Sequence, residues 1–240
     1  MHLPYGPHHR QYGDLRVPAG AGRFAVCVLV HGGGWQARYT PALMAGLAAD
    51  LVARGWATWN LEFRGIGADG GWPATFDDVA AGIDHLDALD APLDLDRVVA
   101  VGHSAGGTLA LWAGARRDPA VPLRAIAAQA PVSDLRLRAG ADPEGLLRAL
   151  LGGGPDDVPD RYAAASPLGL LPLGVPQLLV HGGADAAVPA AMSRRYVESA
   201  RAKGDRATLV VCPGGDHNAH LDPRSRAWAT VVAWLAPWGP

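Results

Sequence analysis

The sequence predicts an α/β domain in which a mostly parallel, twisted sheet carries helices on both faces. Three observations predict it. Apolar runs rich in β-branched residues recur along the chain, stretches of helix formers separate them, and turn residues gather where the runs end. Strands buried on both faces read as continuous apolar runs, which is the pattern of a parallel sheet covered on both sides. At 240 residues with 49% hydrophobic content the chain can bury a full core, and residues 1–240 are expected to form one domain.

The elements follow in order. "QYGDLRV" (11–17) predicts an antiparallel edge strand at the start. "RFAVCVLV" (23–30) is a buried strand, followed by a helical stretch near 41–54. "WATWNLEF" (56–63) is a strand that leads to a helix near 75–90. "RVVAVGH" (97–103) passes into a helix over 105–116, and "LRAIAAQA" (123–130) passes into an irregular segment. "VPQLLVHG" (175–182) precedes a helix near 189–203, and "ATLVVCP" (207–213) precedes one near 223–236. The irregular stretch 131–174 holds "DPEGLLRALLGG", which predicts one short helix with Asp142 as N-cap and Gly152 near its end. That stretch reads either as a small lid over the strand exits or as a surface excursion that covers the core. "VHGG" occurs at 30–33 and again at 180–183, but its flanks do not match, so it marks two independent strand-to-loop crossings.

Bulk properties exclude several function classes. The net charge of −2 offers no basic surface for nucleic acid or an anionic membrane. No apolar run reaches about 18 residues, and the N-terminal segment lacks a basic stretch followed by an apolar one, so a cytoplasmic protein is expected. Cys27 and Cys212 lie in apolar strand runs and read as buried free thiols.

In parallel sheets ligands bind beyond the carboxyl ends of the strands. Those exits read "HGGGW" from 31, "EFRGIG" from 62, "GHSAGG" from 102, "APVSD" from 130, "HGGAD" from 181 and "GGDHNAH" from 214. Ser104 stands in a G-x-S-x-G pattern between a buried strand and a helix. Such a corner holds the serine backbone in a strained conformation, its glycines remove clashes, and Oγ projects above the sheet. A hydroxyl needs a base to become a nucleophile, and the base needs an orienting partner. With this corner the acid and then the histidine follow the serine along the chain. His217 is the candidate base, with His220 as competitor; Asp185 is the candidate acid, while Asp216 and Asp222 read as loop caps. The glycines of "HGGGW" let the N–H groups of Gly33 and Gly34 join that of Ala105 in an oxyanion hole, worth about 2.7–4 kcal/mol per donor. His31 is expected to orient this loop by hydrogen bonding.

"HGGGW", "GHSAGG", "HGGADAAVP" and "GGDHNAH" together resemble the α/β-hydrolase superfamily, and within it the small esterases of the hormone-sensitive-lipase-like and kynurenine-formamidase-like groups. The likeness spans essentially the whole chain. It implies an α/β-hydrolase fold with Ser104 as nucleophile, Asp185 as acid, His217 as base, and Gly33, Gly34 and Ala105 as oxyanion hole. There are two departures. Hormone-sensitive-lipase-like enzymes usually carry a longer cap before HGGG, whereas 30 residues precede His31 here, and kynurenine formamidases typically have tyrosine where this chain has Gly34.

The expectation is therefore a serine hydrolase acting through an acyl-enzyme on a small-molecule ester or amide. A carboxylesterase for short-chain or aryl esters comes first, with an arylformamidase or a small peptidase as alternatives. A non-catalytic binding protein would not require all three of Ser104, Asp185 and His217. Trp35 and Trp72, beside strand exits, are expected to line the acyl or alcohol pocket, Trp112 to join the core, and Glu62 and Arg64 to form a structural ion pair. "HNAH" has the spacing of a metal pair but no third ligand, so neither metal nor cofactor is expected. Self-association is left open.

Overall fold

The computed structural model describes residues 1–240. Its strands are β1 (His2–Pro4), β2 (Tyr12–Arg16), β3 (Phe24–Val30), β4 (Ala57–Leu61), β5 (Leu93–His103), β6 (Ala125–Gln129), β7 (Gln177–Gly182) and β8 (Ala207–Cys212). They form one eight-stranded sheet in the order β1-β2-β4-β3-β5-β6-β7-β8. The joins from β4 to β8 are parallel, whereas β1 pairs antiparallel with β2, and β2 antiparallel with β4. The strand expected over 11–17 is antiparallel but is not the edge. His2–Pro4 pairs outside it, an element too short and too polar to show a period-2 pattern.

The alternation of side chains along each strand builds two cores. Ala25, Cys27 and Leu29 face α1 (Ala45–Ala53) and α8 (Arg226–Leu235), where Leu47, Leu51, Trp228 and Val231 meet them. Val26, Val28 and Val30 face the other way, toward Phe76 and Val79 of α2 (Ala74–Asp84) and Leu109 of α3 (Ala105–Gly114). Met192 and Tyr196 of α7 (Ala190–Ala202) join that larger core. Each such aliphatic side chain contributes about 1.5–3 kcal/mol by leaving water, so both faces are mostly apolar, and polar side chains buried there, such as Asn60 and Gln177, make hydrogen bonds. That is why the central strands read as largely apolar runs.

Segment 131–174 departs from the single short helix expected there. It holds α4 (Leu135–Ala139), α5 (Leu146–Leu151) and α6 (Pro159–Ala165). Asp142 does cap α5, from just outside it: its carboxylate accepts the Leu146 N–H at 3.1 Å and the Leu147 N–H at 2.8 Å. Gly152 ends that helix at φ 78°. Leu135, Leu147, Leu150, Leu151, Tyr162 and Ala165 are buried in the larger core, so the segment is anchored in the core as well as covering it. Trp112 packs edge-on against Phe76 with ring centroids 5.1 Å apart, half-buried at the margin of this core.

Two glycines make the β5–α3 corner possible. A Cβ on Gly102 would lie 2.2 Å from the Gly106 carbonyl oxygen, and one on Gly106 would lie 2.0 Å from that of Val30. Both obstacles are backbone, so neither can move aside. We expect Gly102→Ala to destabilise the protein by about 3 kcal/mol or more, because overpacking against fixed backbone is relieved only by opening the corner. A urea unfolding midpoint unchanged from wild type would contradict this.

Candidate active site

The strand order reverses at β3: β4 lies on one side of it and β5 on the other. Such a switch point opens a crevice beyond the carboxyl ends of the two strands concerned. The loop after β3 carries Gly33 and Gly34, and the corner after β5 carries Ser104. A cavity of about 300 Å³ opens here, and Gly33, Gly34, Trp35, Ser104, Ala105 and His217 are among its lining residues.

Ser104 has φ 52° and ψ −119°, outside the regions a residue with a Cβ ordinarily occupies. Its N–H donates to the Gln129 carbonyl at 2.8 Å, which fixes the corner to β6. The residue is 9% exposed and lines the cavity. Ser104 Oγ lies 2.9 Å from His217 Nε2, and His217 Nδ1 lies 2.7 Å from Asp185 Oδ2. Because an ionised carboxylate only accepts, Nδ1 carries the proton and Nε2 presents its lone pair to the serine hydroxyl.

Asp185 is held at every lone pair that matters. Its Oδ1 accepts the N–H groups of Ala187 and Val188, each at 2.9 Å. Its Oδ2 receives His217 and has His181 Nε2 at 3.3 Å. Burial by itself would raise its pKa. The Val188 N–H, His217 and the Ala187 N–H outweigh that and hold the carboxyl below its ordinary value.

The N–H groups of Gly33, Gly34 and Ala105 donate to no other group of the protein. Gly33 at φ 108° and Gly34 at φ 61° take conformations that favour glycine, and at Gly33 a Cβ would strike the Tyr39 ring at 2.3 Å. His31 holds this loop. Its Nδ1 lies 2.7 Å from the Gly32 carbonyl and its Nε2 lies 3.2 Å from Glu62 Oε1. Glu62, 1% exposed, also accepts the Phe63 N–H at 2.9 Å and has Arg10 Nη1 at 3.3 Å.

Several expected placements are corrected. Trp35 lines the cavity, but Trp72 does not; its ring turns to Phe76, centroids 5.1 Å apart, and its backbone N–H donates to the Leu150 carbonyl at 2.7 Å. Glu62 and Arg64 do not pair. Arg64 makes a two-pronged contact with buried Asp78 at 2.7 and 2.8 Å, while Glu62 is taken up by His31, the Phe63 N–H and Arg10. His220 is fully buried away from Ser104, so the structure brings His217 to the serine. Both ring nitrogens of His217 are engaged, which leaves none for a metal shared with His220. Asp216 and Asp222 cap their own loops, accepting backbone N–H groups at 2.8–3.0 Å.

Residues the sequence reading passed over include His103, His181 and Arg10. His181 Nε2 meets the Val188 carbonyl at 2.9 Å and Nδ1 meets Ser193 Oγ at 2.7 Å, so it shapes the loop around Asp185. The repeated "VHGG" was the available signal: in both copies the histidine braces the loop that follows.

Two histidines behind His217 are buried neutral. Burial first, then neighbouring His217, pushes the pKa of His103 down to about 3. Burial first, then His181, pushes that of His220 down to about 4. The unfolded chain protonates both near pH 6.5 and so binds more protons than the folded one below that value. Stability should therefore fall as pH drops from about 6.5 toward 4. Urea midpoints across that window measure the slope, and His220→Phe should flatten it.

A family model described as BD-FAE matches residues 14–199. A carbohydrate esterase from gut microbiota, in truncated form, superposes with a TM-score of 0.86 at 21% identity, over 99% of this chain and 94% of that one. An acetyl ester-xyloside bifunctional hydrolase from Caldicellulosiruptor lactoaceticus does so with a TM-score of 0.80 at 20% identity, over 99% and 96%. A butyrate-bound esterase from Thermogutta terrifontis gives 0.77 at 24% identity, over 94% and 88%. The chain has the α/β-hydrolase fold that its motifs predict.

Proposed function

This chain belongs to the BD-FAE family, and on that premise we propose that it is a serine carboxylesterase working through an acyl-enzyme. The observation that carries the reading is the unbroken line Ser104–His217–Asp185, at 2.9 and 2.7 Å, opening into a cavity beside three unpaired backbone N–H groups. Ser104 Oγ attacks the ester carbon as His217 Nε2 takes its proton. The carbonyl oxygen becomes an oxyanion that Gly33, Gly34 and Ala105 receive. His217 then gives the proton to the leaving alcohol, and a water repeats the sequence to free the acid. Asp185 keeps the imidazole in the tautomer this needs and stabilises the imidazolium. No step calls for a cofactor.

The cavity supports a small acyl group. Leu43, Val132, Leu147 and Val188 line it with apolar side chains, and Gln36, Arg38, Arg138 and Asn218 with polar ones. An acyl chain gains about 0.8 kcal/mol per CH₂ only while the wall lasts. We expect kcat/KM to peak with acyl groups of about two to four carbons and to fall for long chains, without interfacial activation. A steady rise to long-chain esters would sink that reading. The similar folds of a carbohydrate esterase, an acetyl ester-xyloside hydrolase and a butyrate-bound esterase support pairing a short acyl group with a sugar alcohol as the first substrates to test. Trp72, turned to Phe76, offers no ring for an aryl leaving group to stack on.

The decisive experiment treats the protein with a fluorophosphonate and maps the labelled peptide, alongside turnover of acetyl esters, butyryl esters and N-formyl aryl amides. Labelling at Ser104 with ester turnover is expected. Faster turnover of formyl amides would transfer the site to an arylformamidase, and no labelling would make it a binding protein.

A further inference from the structure

We propose that His103 is a positioning residue that ties the Gly32–Gly34 loop to the loop bearing His217, an inference that rests on the serine-esterase reading above. His103 ends β5, immediately before Ser104, and is 3% exposed. Its Nε2 donates to the carbonyl oxygen of His217 at 2.8 Å. A carbonyl only accepts, so the proton sits on Nε2, and Nδ1 is left as an acceptor without a partner. That second nitrogen faces the oxyanion loop: a Cβ on Gly32 would stand 2.7 Å from it and 3.0 Å from the His103 carbonyl oxygen. One rigid ring therefore touches both loops that must meet at the serine.

The contact matters because His217 lies outside any helix or strand. No backbone N–H donates to its carbonyl, so His103 holds that side of the peptide, while Asp216 Oδ1 accepts its N–H, that of Asn218, at 3.0 Å on the other. The two rings lie 4.8 Å apart and 48° tilted, which leaves His217 little room to turn away from Ser104. Without the bond, the peptide is held on its N–H side alone and can pivot about the Asp216 contact, carrying the ring with it. Misplacing a reacting group by about 1 Å costs up to about a hundredfold in rate. Burial keeps the ring uncharged, so its part is geometric.

Three variants separate this role from simple packing. His103→Gln can place an amide N–H where Nε2 was, His103→Asn is too short to reach, and His103→Phe keeps the ring without the donor. We expect the Gln variant to keep near-wild-type kcat. The Asn and Phe variants should lose about tenfold to a hundredfold in kcat with KM almost unchanged, and label with fluorophosphonate correspondingly slowly. Should the Phe variant not fold, the Asn–Gln pair gives the same contrast. Wild-type kcat in the Asn or Phe variant overturns the proposal, as does a Gln variant no faster than Asn. Ser104→Ala is the separate control. If it keeps full turnover the esterase reading itself fails, whereas inactive Ser104→Ala with an unaffected Asn variant rejects only the role of His103.

Discussion

Ser104→Ala is expected to lower kcat on the order of 10⁶-fold and to abolish fluorophosphonate labelling, with the fold intact. The size follows from what remains. His217 and Asp185 still stand in place, yet the base has no hydroxyl to activate, and only the backbone donors and substrate binding still assist attack by water. The fold survives because alanine meets the same backbone demand as serine at φ 52°, and the hydroxyl anchors nothing but His217. Circular dichroism and the urea midpoint should match wild type. Retained labelling, mapped to another serine, would refute the nucleophile assignment. Ser133 and Ser193, both buried, hydrogen-bond the Met192 carbonyl and His181 instead of facing the base.

Asp185→Asn should cost on the order of 10⁴-fold in kcat at almost unchanged KM. The loss arises from a tautomer. Oδ1 must still accept from Ala187 and Val188, so the amide NH₂ replaces Oδ2 and points at His217. A donor facing Nδ1 makes that nitrogen the acceptor and moves the ring proton to Nε2, where it blocks receipt of the Ser104 proton. The carboxyl is also held below its ordinary pKa. A depressed acid stabilises the folded state above the unfolded value, near pH 3.9, and loses that contribution as pH falls through the folded value. The variant should thus be less stable than wild type at pH 7, with the gap closing in strong acid. Wild-type kcat in the variant would remove Asp185 from the relay.

Much of this site was legible because its signals are local. A serine corner needs glycine at 102 and 106 for clearance within a few residues, and that demand leaves a visible pattern. The loops carrying Asp185 and His217 were found the same way, since parallel strands deliver their exits to one edge whatever lies between them. What neighbouring segments decide was not legible. Whether His217 or His220 meets Ser104 depends on how the loop after β8 packs against His103 and Asp185, each from a distant strand. His217 was the first candidate in the sequence, and the structure brings it to Ser104, but the contacts that seat it there come from outside its own stretch.

The same distinction runs through the fold. By itself the sequence determined a parallel sheet with two apolar faces, the order of its helices, and the serine, acid and histidine at strand exits, because burial on both faces and the corner's sterics act within each element. Only the tertiary structure decided that Arg64 serves Asp78, that Glu62 braces His31 with Arg10, that Trp72 faces Phe76, and that 131–174 is anchored in the core. Side-chain partners are chosen by which surfaces the packed layers bring within a few ångströms, and that proximity is a property of the whole chain rather than of any stretch of it.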